Sequence, residues 1–152
     1  MLEIQLPEEV KNLTEGSLFD NDGLINDDML SKYLAYNPEL TRIYGLAVAD
    51  LRKTRRELEL EILKLEQEME RVKAGILIKI DPAIYKNESM REARVILDEE
   101  YRKLQDKVLS IKKDMISLDK EIDDLSELYW KHKSMQQSLD AMTKLRLSER
   151  RY

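Results

Sequence analysis

The chain has no cysteine, one histidine, one tryptophan and one phenylalanine in 152 residues, with only 4 glycines and 3 prolines. Without cysteine it forms no disulfide and offers no thiolate, a usage that suits a reducing compartment. With His132 as the only histidine, neither a two-histidine metal site nor a helical histidine pair can form within one chain. A glycine-rich phosphate loop and a nucleophile elbow are both missing. No apolar run approaches the roughly 20 residues of a membrane span. The N-terminus has no basic segment leading into an apolar run, so no secretory signal is expected and a cytoplasmic location is. Paired carboxylates such as Asp123-Asp124 and Glu99-Glu100 are ordinary at this charge density. No enzymatic activity, cofactor, metal or small-molecule substrate is expected.

What is present is charge. Asp, Glu, Lys and Arg make up 38% of the chain, against about a quarter in typical proteins. Many Glu, Lys, Leu and Arg with few breakers predict long helices, whose seams take up most of the apolar residues and leave few walls for a catalytic pocket. The net charge of −5 argues against uniform coating of nucleic acid, but the two ends differ. Residues 1–30 carry eight acids against Lys11 alone, whereas residues 129–152 carry six cations against Asp140 and Glu149.

Apolar residues recur by heptads from Leu97 to Tyr129. Tyr101, Val108, Met115, Ile122 and Tyr129 fall at position a, and Leu97, Leu104, Ile111, Leu118 and Leu125 at position d. A two-in-seven seam is what one long helix needs to pack on another. A matching row precedes it, with Tyr44, Leu51, Leu58, Leu65 and Val72 at d and Val48, Ile62, Met69 and Ile76 at a, interrupted at a by Thr41 and Arg55.

In chain order, residues 1–25 predict an acidic arm whose apolar residues, Leu2 to Phe19, dock on a neighbour. The remainder, 26–152, predicts one helical hairpin domain. A short helix, 27–36, starts from Asn26 or Asp27 and stops at Asn37, because the residue before Pro38 is pushed out of helical geometry. Asn37-Pro38-Glu39 then opens a long helix, 38–74, closed by Gly75. Residues 75–88 form a linker in which Ile76, Ile78 and Ile80 make either a short extended segment or a last helical turn, and Asp81-Pro82 a turn. Ser89 and Glu92 fit a capping box, and a second long helix runs over 89–147, about 90 Å at 1.5 Å per residue. Folded back about residue 82, residue i faces roughly 164 − i, so Pro38 meets Leu125 to Glu127. Beyond that point the apolar stripe shifts to Leu128, His132, Met135, Leu139 and Met142, turned toward the short helix or another subunit. The predicted fold is all-α: a long antiparallel, coiled-coil-like hairpin with a short N-terminal helix, assembled as a homo-oligomer. Trp130, Met135, Leu139, Met142, Ile76, Ile78 and Ile80 are its candidate oligomer or partner interface, and His132 reads as a seam residue, not a base.

Cations cluster in four places. Arg52, Lys53, Arg55 and Arg56 pack into five residues, and the facing rule sets Lys107, Lys112 and Lys113 at their level, a band suited to phosphates. Lys131 and Lys133 flank Tyr129, Trp130 and His132, cations among flat rings as in a base-stacking platform. The tail from Lys144 to Tyr152 is the third, and Arg71 with Lys73 the fourth. Against each stands ordinary salt bridging to Glu57, Glu59, Asp106 and Asp114.

The segment ESMREARVILDEEYRKLQDKV, followed by LDKEIDDLSELYWKHKSMQQSLDAM, is similar to the C-terminal half of phage recombination mediator proteins of the UvsY type. That family has a short helix, a long helix, a brief linker and a last long helix with an Asp-Glu-x-Tyr-like step, here Asp98-Glu99-Glu100-Tyr101. The resemblance implies an oligomeric single-stranded-DNA-binding accessory protein that helps load a strand-exchange recombinase onto DNA covered by single-strand-binding protein, inside a phage-infected bacterial host. It also implies that Arg71 and Lys73 are the family's paired basic residues. The alternative is a structural or chaperone-like coiled-coil protein, a prefoldin-like hairpin or phage assembly factor without a DNA role. Prefoldin-like chains set β-hairpin strands between two helices, and residues 76–86 offer one strand at most.

Overall fold

Asn26 starts the first helix: its Oδ1 accepts from the amides of Asp28 at 3.1 Å and Met29 at 3.3 Å, satisfying N–H groups that have no partner inside the helix. In a computed structural model of the protein, which describes residues 23–150, helix α1 spans Asp27–Lys79, α2 Glu88–Leu97 and α3 Glu99–Arg150. The described residues are almost entirely helical, and the two long helices pack together. The expected acidic arm lies almost wholly outside the described residues, as do Arg151 and Tyr152.

The expected break at Asn37 is absent, and α1 runs straight through Pro38. An interior proline removes one backbone hydrogen bond and crowds the carbonyl four residues back, costing about 3 kcal/mol. Burial on both sides outweighs that. Leu30 and Tyr33, before the proline, pack with Met135 and Leu139, while Leu40 and Tyr44, after it, pack against Leu125 and Tyr129. Each such side chain contributes about 1.5–3 kcal/mol, so four exceed the penalty. Gly75 does not end the helix either. It lacks the left-handed backbone of a helix terminator, and Ile80 N–H still bonds Ile76 C=O at 3.1 Å, so the last-turn reading of the isoleucine stretch holds.

The second expected helix is two. Asn87, not Ser89, caps α2, accepting from the Met90 amide at 2.9 Å. At Asp98 the backbone turns extended (φ −67°, ψ 131°), and its Oδ1 accepts from the Tyr101 amide at 3.0 Å to begin α3. Asp98 is thus the N-cap of α3, with Glu99 and Glu100 in the first turn where the helix dipole favours acids. Between α1 and α2, Asp81 forms the expected turn, taking the Ala83 amide on its side chain and the Ile84 and Tyr85 amides on its carbonyl.

The chain divides into two compact units. The described residues of the first are 23–51 and 121–150, and it holds most of the fully buried side chains, including Leu139 at 0% exposure, Ala47, Val48, Leu51 and Ile122. Arg146 closes it, donating to Ile25 C=O at 2.9 Å and pairing with Asp27 at 3.0 Å. The facing rule needs correction here, because Asn37 meets His132 and Gln136, well beyond Leu125 to Glu127. The longer α1 and the break at Asp98 carry the centre of the connection past residue 82, which shifts every partner.

The second unit is Arg52–Lys120. Its seam residues, from Leu58 to Ile76 on α1 and Tyr101 to Leu118 on α3, are half-buried apart from the fully buried Val108. A narrow seam covers its side chains only in part. Val95 of α2 is the other buried residue in this unit, while Leu97, expected in the seam, is 70% exposed because α2 ends there.

Candidate functional site

Asn37 is 1% exposed and stands on the d row one heptad before Tyr44. Its Nδ2 donates to the backbone carbonyl of His132 at 2.8 Å and to Oε1 of Gln136 at 3.0 Å, and its Oδ1 lies 2.9 Å from His132 Nδ1. A carbonyl accepts only from the NH2 group, which fixes the amide's orientation and places the hydrogen of the imidazole on Nδ1. Gln136 passes the chain on to Asp140 at 3.1 Å, and the His132 ring stacks on Tyr44 at 5.4 Å with planes 11° apart. Burial pushes the Tyr44 phenol above its ordinary range. His132 is thereby a seam residue, as expected. Asn37 does not read as a site residue from sequence, because its position before proline suggests a cap.

One helical turn from this clasp, the aromatic cluster is open. Trp130 is 58% exposed in the single chain. Its ring meets Tyr129 edge-on at 5.4 Å, and Lys133 Nζ lies 4.9 Å from the Trp130 centroid and 5.7 Å from that of Tyr129, within cation–π range. A shallow groove beside it is lined by Ser126, Lys131 and Ser134 together with Asp123 and Glu127. Tyr129 in turn lies against Gly45, where a Cβ would come within 3.2 Å of the ring. The glycine lets the tyrosine close on the backbone of α1 and fixes the base of the platform. Chemically, the cluster can stack a flat ring and place ammonium groups beside it.

Met135 and Leu139, expected to face either the short helix or another subunit, are core residues of the first unit, and Met142 packs against the same cluster. The N-terminal part of α1 already covers them. Ile76 and Ile80 are half-buried in the second unit, and only Ile78, at 84% exposure, is free for a partner.

The basic band is divided. Arg52, Lys53 and Arg56 are exposed, as are Lys112 and Lys113. Arg55 instead occupies a seam position, with Nε 2.6 Å from Asp119 Oδ1 and a second ion pair to Glu59, and the hydrogen bond to Asp119 raises its pKa further. Asp119, not a lysine, therefore stands at its level.

Arg71 and Lys73 do not share one cleft. Two residues apart on a helix is about 200° of rotation, and they line different clefts. Arg71 borders one of about 450 Å³ with Ile76, Tyr85, Arg94, Asp98 and Glu100, and is itself ion-paired to Glu68. Lys73 borders another of about 510 Å³ with Leu77, Pro82, Arg91 and Glu92.

Among the described residues no group of three His, Asp or Glu side chains could hold a metal ion, and no helix is long and apolar enough to cross a membrane. Comparison with protein-family models, curated proteins and solved structures finds no match.

Proposed function

We propose that the protein is a non-catalytic, self-associating helical accessory protein that holds single-stranded DNA, of the recombination-mediator kind its sequence resembles, and that hands the strand to a recombinase. The observation that carries this reading is the exposed Trp130 ring with Lys133 against it and Lys131 beside it. A solvent-facing ring among lysines suits unpaired bases, which present flat faces next to phosphates. Arg52, Lys112 and Lys113, exposed in the second unit, are cations of the kind a phosphate backbone neutralises. Within each unit the partner pairs, Asn37 with Gln136, Gly45 with Tyr129 and Arg55 with Asp119, support an antiparallel hairpin as the scaffold.

Trp130 is the only tryptophan, so its fluorescence reports the site directly. Titration with an oligothymidylate at low salt should quench it, and the affinity should fall steeply as salt rises. Absence of binding at low salt would falsify the proposal. It would favour the structural coiled-coil alternative, which the engagement of Arg55 and Arg71 by carboxylates also supports.

A further inference from the structure

Helix α1 carries a second heptad row on the side away from its seam. In the second unit this row is Lys53, Arg56, Leu60, Leu63, Gln67 and Glu70, spaced alternately by three and four residues, and all six are exposed. Leu60 is 58% and Leu63 54% exposed, and a shallow groove runs past Leu63, Gln67 and Glu70. Leu60 and Leu63 thus form an exposed apolar pair flanked on both sides by charged and polar residues, the layout of a contact with an apolar centre and a polar rim.

The order of residue types names the occupant. About a centre between Leu60 and Leu63 the row is its own complement: leucine mirrors leucine, Arg56 mirrors Gln67, and Lys53 mirrors Glu70. In the sequence the rhythm continues outward with Ala49 and Leu46 on one side and Ala74 and Leu77 on the other, alike at equal distance from the centre. A two-fold axis through that centre makes each residue meet its mirror residue on the other copy, the defining property of an isologous contact. A parallel alignment would set Lys53 against Lys53 and Glu70 against Glu70.

We infer that a second copy of this chain docks antiparallel along this face of α1, Leu60 against Leu63 and Lys53 against Glu70. The contact deepens the self-association in the function proposed above and does not depend on DNA. It assigns Lys53 and Arg56 to the partner copy and leaves Arg52, Lys112 and Lys113 as exposed cations of the second unit.

Charge reversal tests the alignment. Lys53→Glu alone puts two carboxylates together at both symmetric positions, and Glu70→Lys alone puts two ammonium groups together. Each should weaken self-association on the order of tenfold, since two exposed pairs turn from attractive to repulsive. Mixing the two variants makes both positions complementary and should restore association. Sedimentation velocity of the full chain without DNA reads the mass, and circular dichroism confirms that helix content is unchanged. A monomeric wild-type chain, an assembly indifferent to both reversals, or a mixture that stays dissociated overturns the inference. Loss of DNA binding with the reversal pattern intact overturns only the proposed function.

Discussion

Asn37 and His132 are joined twice, once from the amide NH2 to the backbone carbonyl at 2.8 Å and once from the amide oxygen to the ring Nδ1 at 2.9 Å. This is the one fully buried polar side chain among the described residues. A buried polar pair is a poor source of net stability but a strict constraint on alignment, because any slip along the seam leaves the amide and imidazole without partners. Asn37→Ala should therefore destabilise the fold by about 1–3 kcal/mol, read as a lower midpoint in urea unfolding. Asn37→Leu keeps the branched outline of the side chain but strands the His132 Nδ1 hydrogen, and should cost at least a similar amount. A leucine variant as stable as wild type would show that the clasp contributes nothing beyond packing.

Much of this fold is legible in the sequence, although one signal there outweighs another. The d row runs without change of phase from Leu30 through Asn37, Tyr44, Leu51, Leu58 and Leu65 to Val72. A helix that truly broke at Pro38 would have no reason to keep that phase, so continuity of the row predicts α1 better than the proline rule does. Asp98 carries a start signal of its own, an N-cap aspartate followed by Glu99 and Glu100, masked because the apolar heptads extend one step further back, to Leu97. The pairing of α1 with α3 is less accessible. It depends on how many residues the connection consumes, and that is set by the Asp81 turn and the Asp98 break, not by either seam. Exposure of Trp130 within the chain is readable, since it follows Tyr129 at position a and lies off both the seam and the shifted stripe.

The glycines of α1 give a prediction of opposite sign at two positions. At Gly75 an added Cβ meets nothing within 4 Å and the backbone is ordinary helix, so Gly75→Ala should stabilise the protein by about 0.5–1 kcal/mol through helix propensity alone. At Gly45 the same Cβ would sit 3.2 Å from the Tyr129 ring. Gly45→Ala must push Tyr129 aside, which should cancel the propensity gain and change the Trp130 emission through the edge-on contact of the two rings. Thermal unfolding and fluorescence of the two variants check both. Equal stabilisation with unchanged emission would show that Tyr129 yields freely.

Tyr44 gives the pH dependence its sign. Burial holds its phenol above the ordinary tyrosine range, so the folded chain prefers the protonated form more than the unfolded chain does. The associated stability is fully present below the unfolded pKa of about 10 and is lost as pH rises through the folded value. In an alkaline spectrophotometric titration, Tyr44 should contribute a late ionisation step, together with loss of helix. Tyr44→Phe should remove that late step and leave the earlier ones. A late step that persists in the phenylalanine variant would assign it to another tyrosine.

Trp130 separates binding from folding. With 58% of its surface exposed and its ring against Tyr129 and Lys133, Trp130→Ala should change stability by less than about 1 kcal/mol. Stacking of one base on an aromatic ring contributes about 1–3 kcal/mol, so the same variant should weaken single-stranded DNA binding roughly 5- to 150-fold. Lys131→Ala with Lys133→Ala should act differently, lowering the slope of affinity against salt by about 0.7 for each phosphate that a lysine no longer neutralises. Arg55→Ala provides the control: its guanidinium is engaged by Asp119 and Glu59, so affinity should not move. Fluorescence anisotropy with a labelled oligonucleotide measures all three. If Arg55→Ala weakens binding as much as Trp130→Ala does, the platform is not the DNA site.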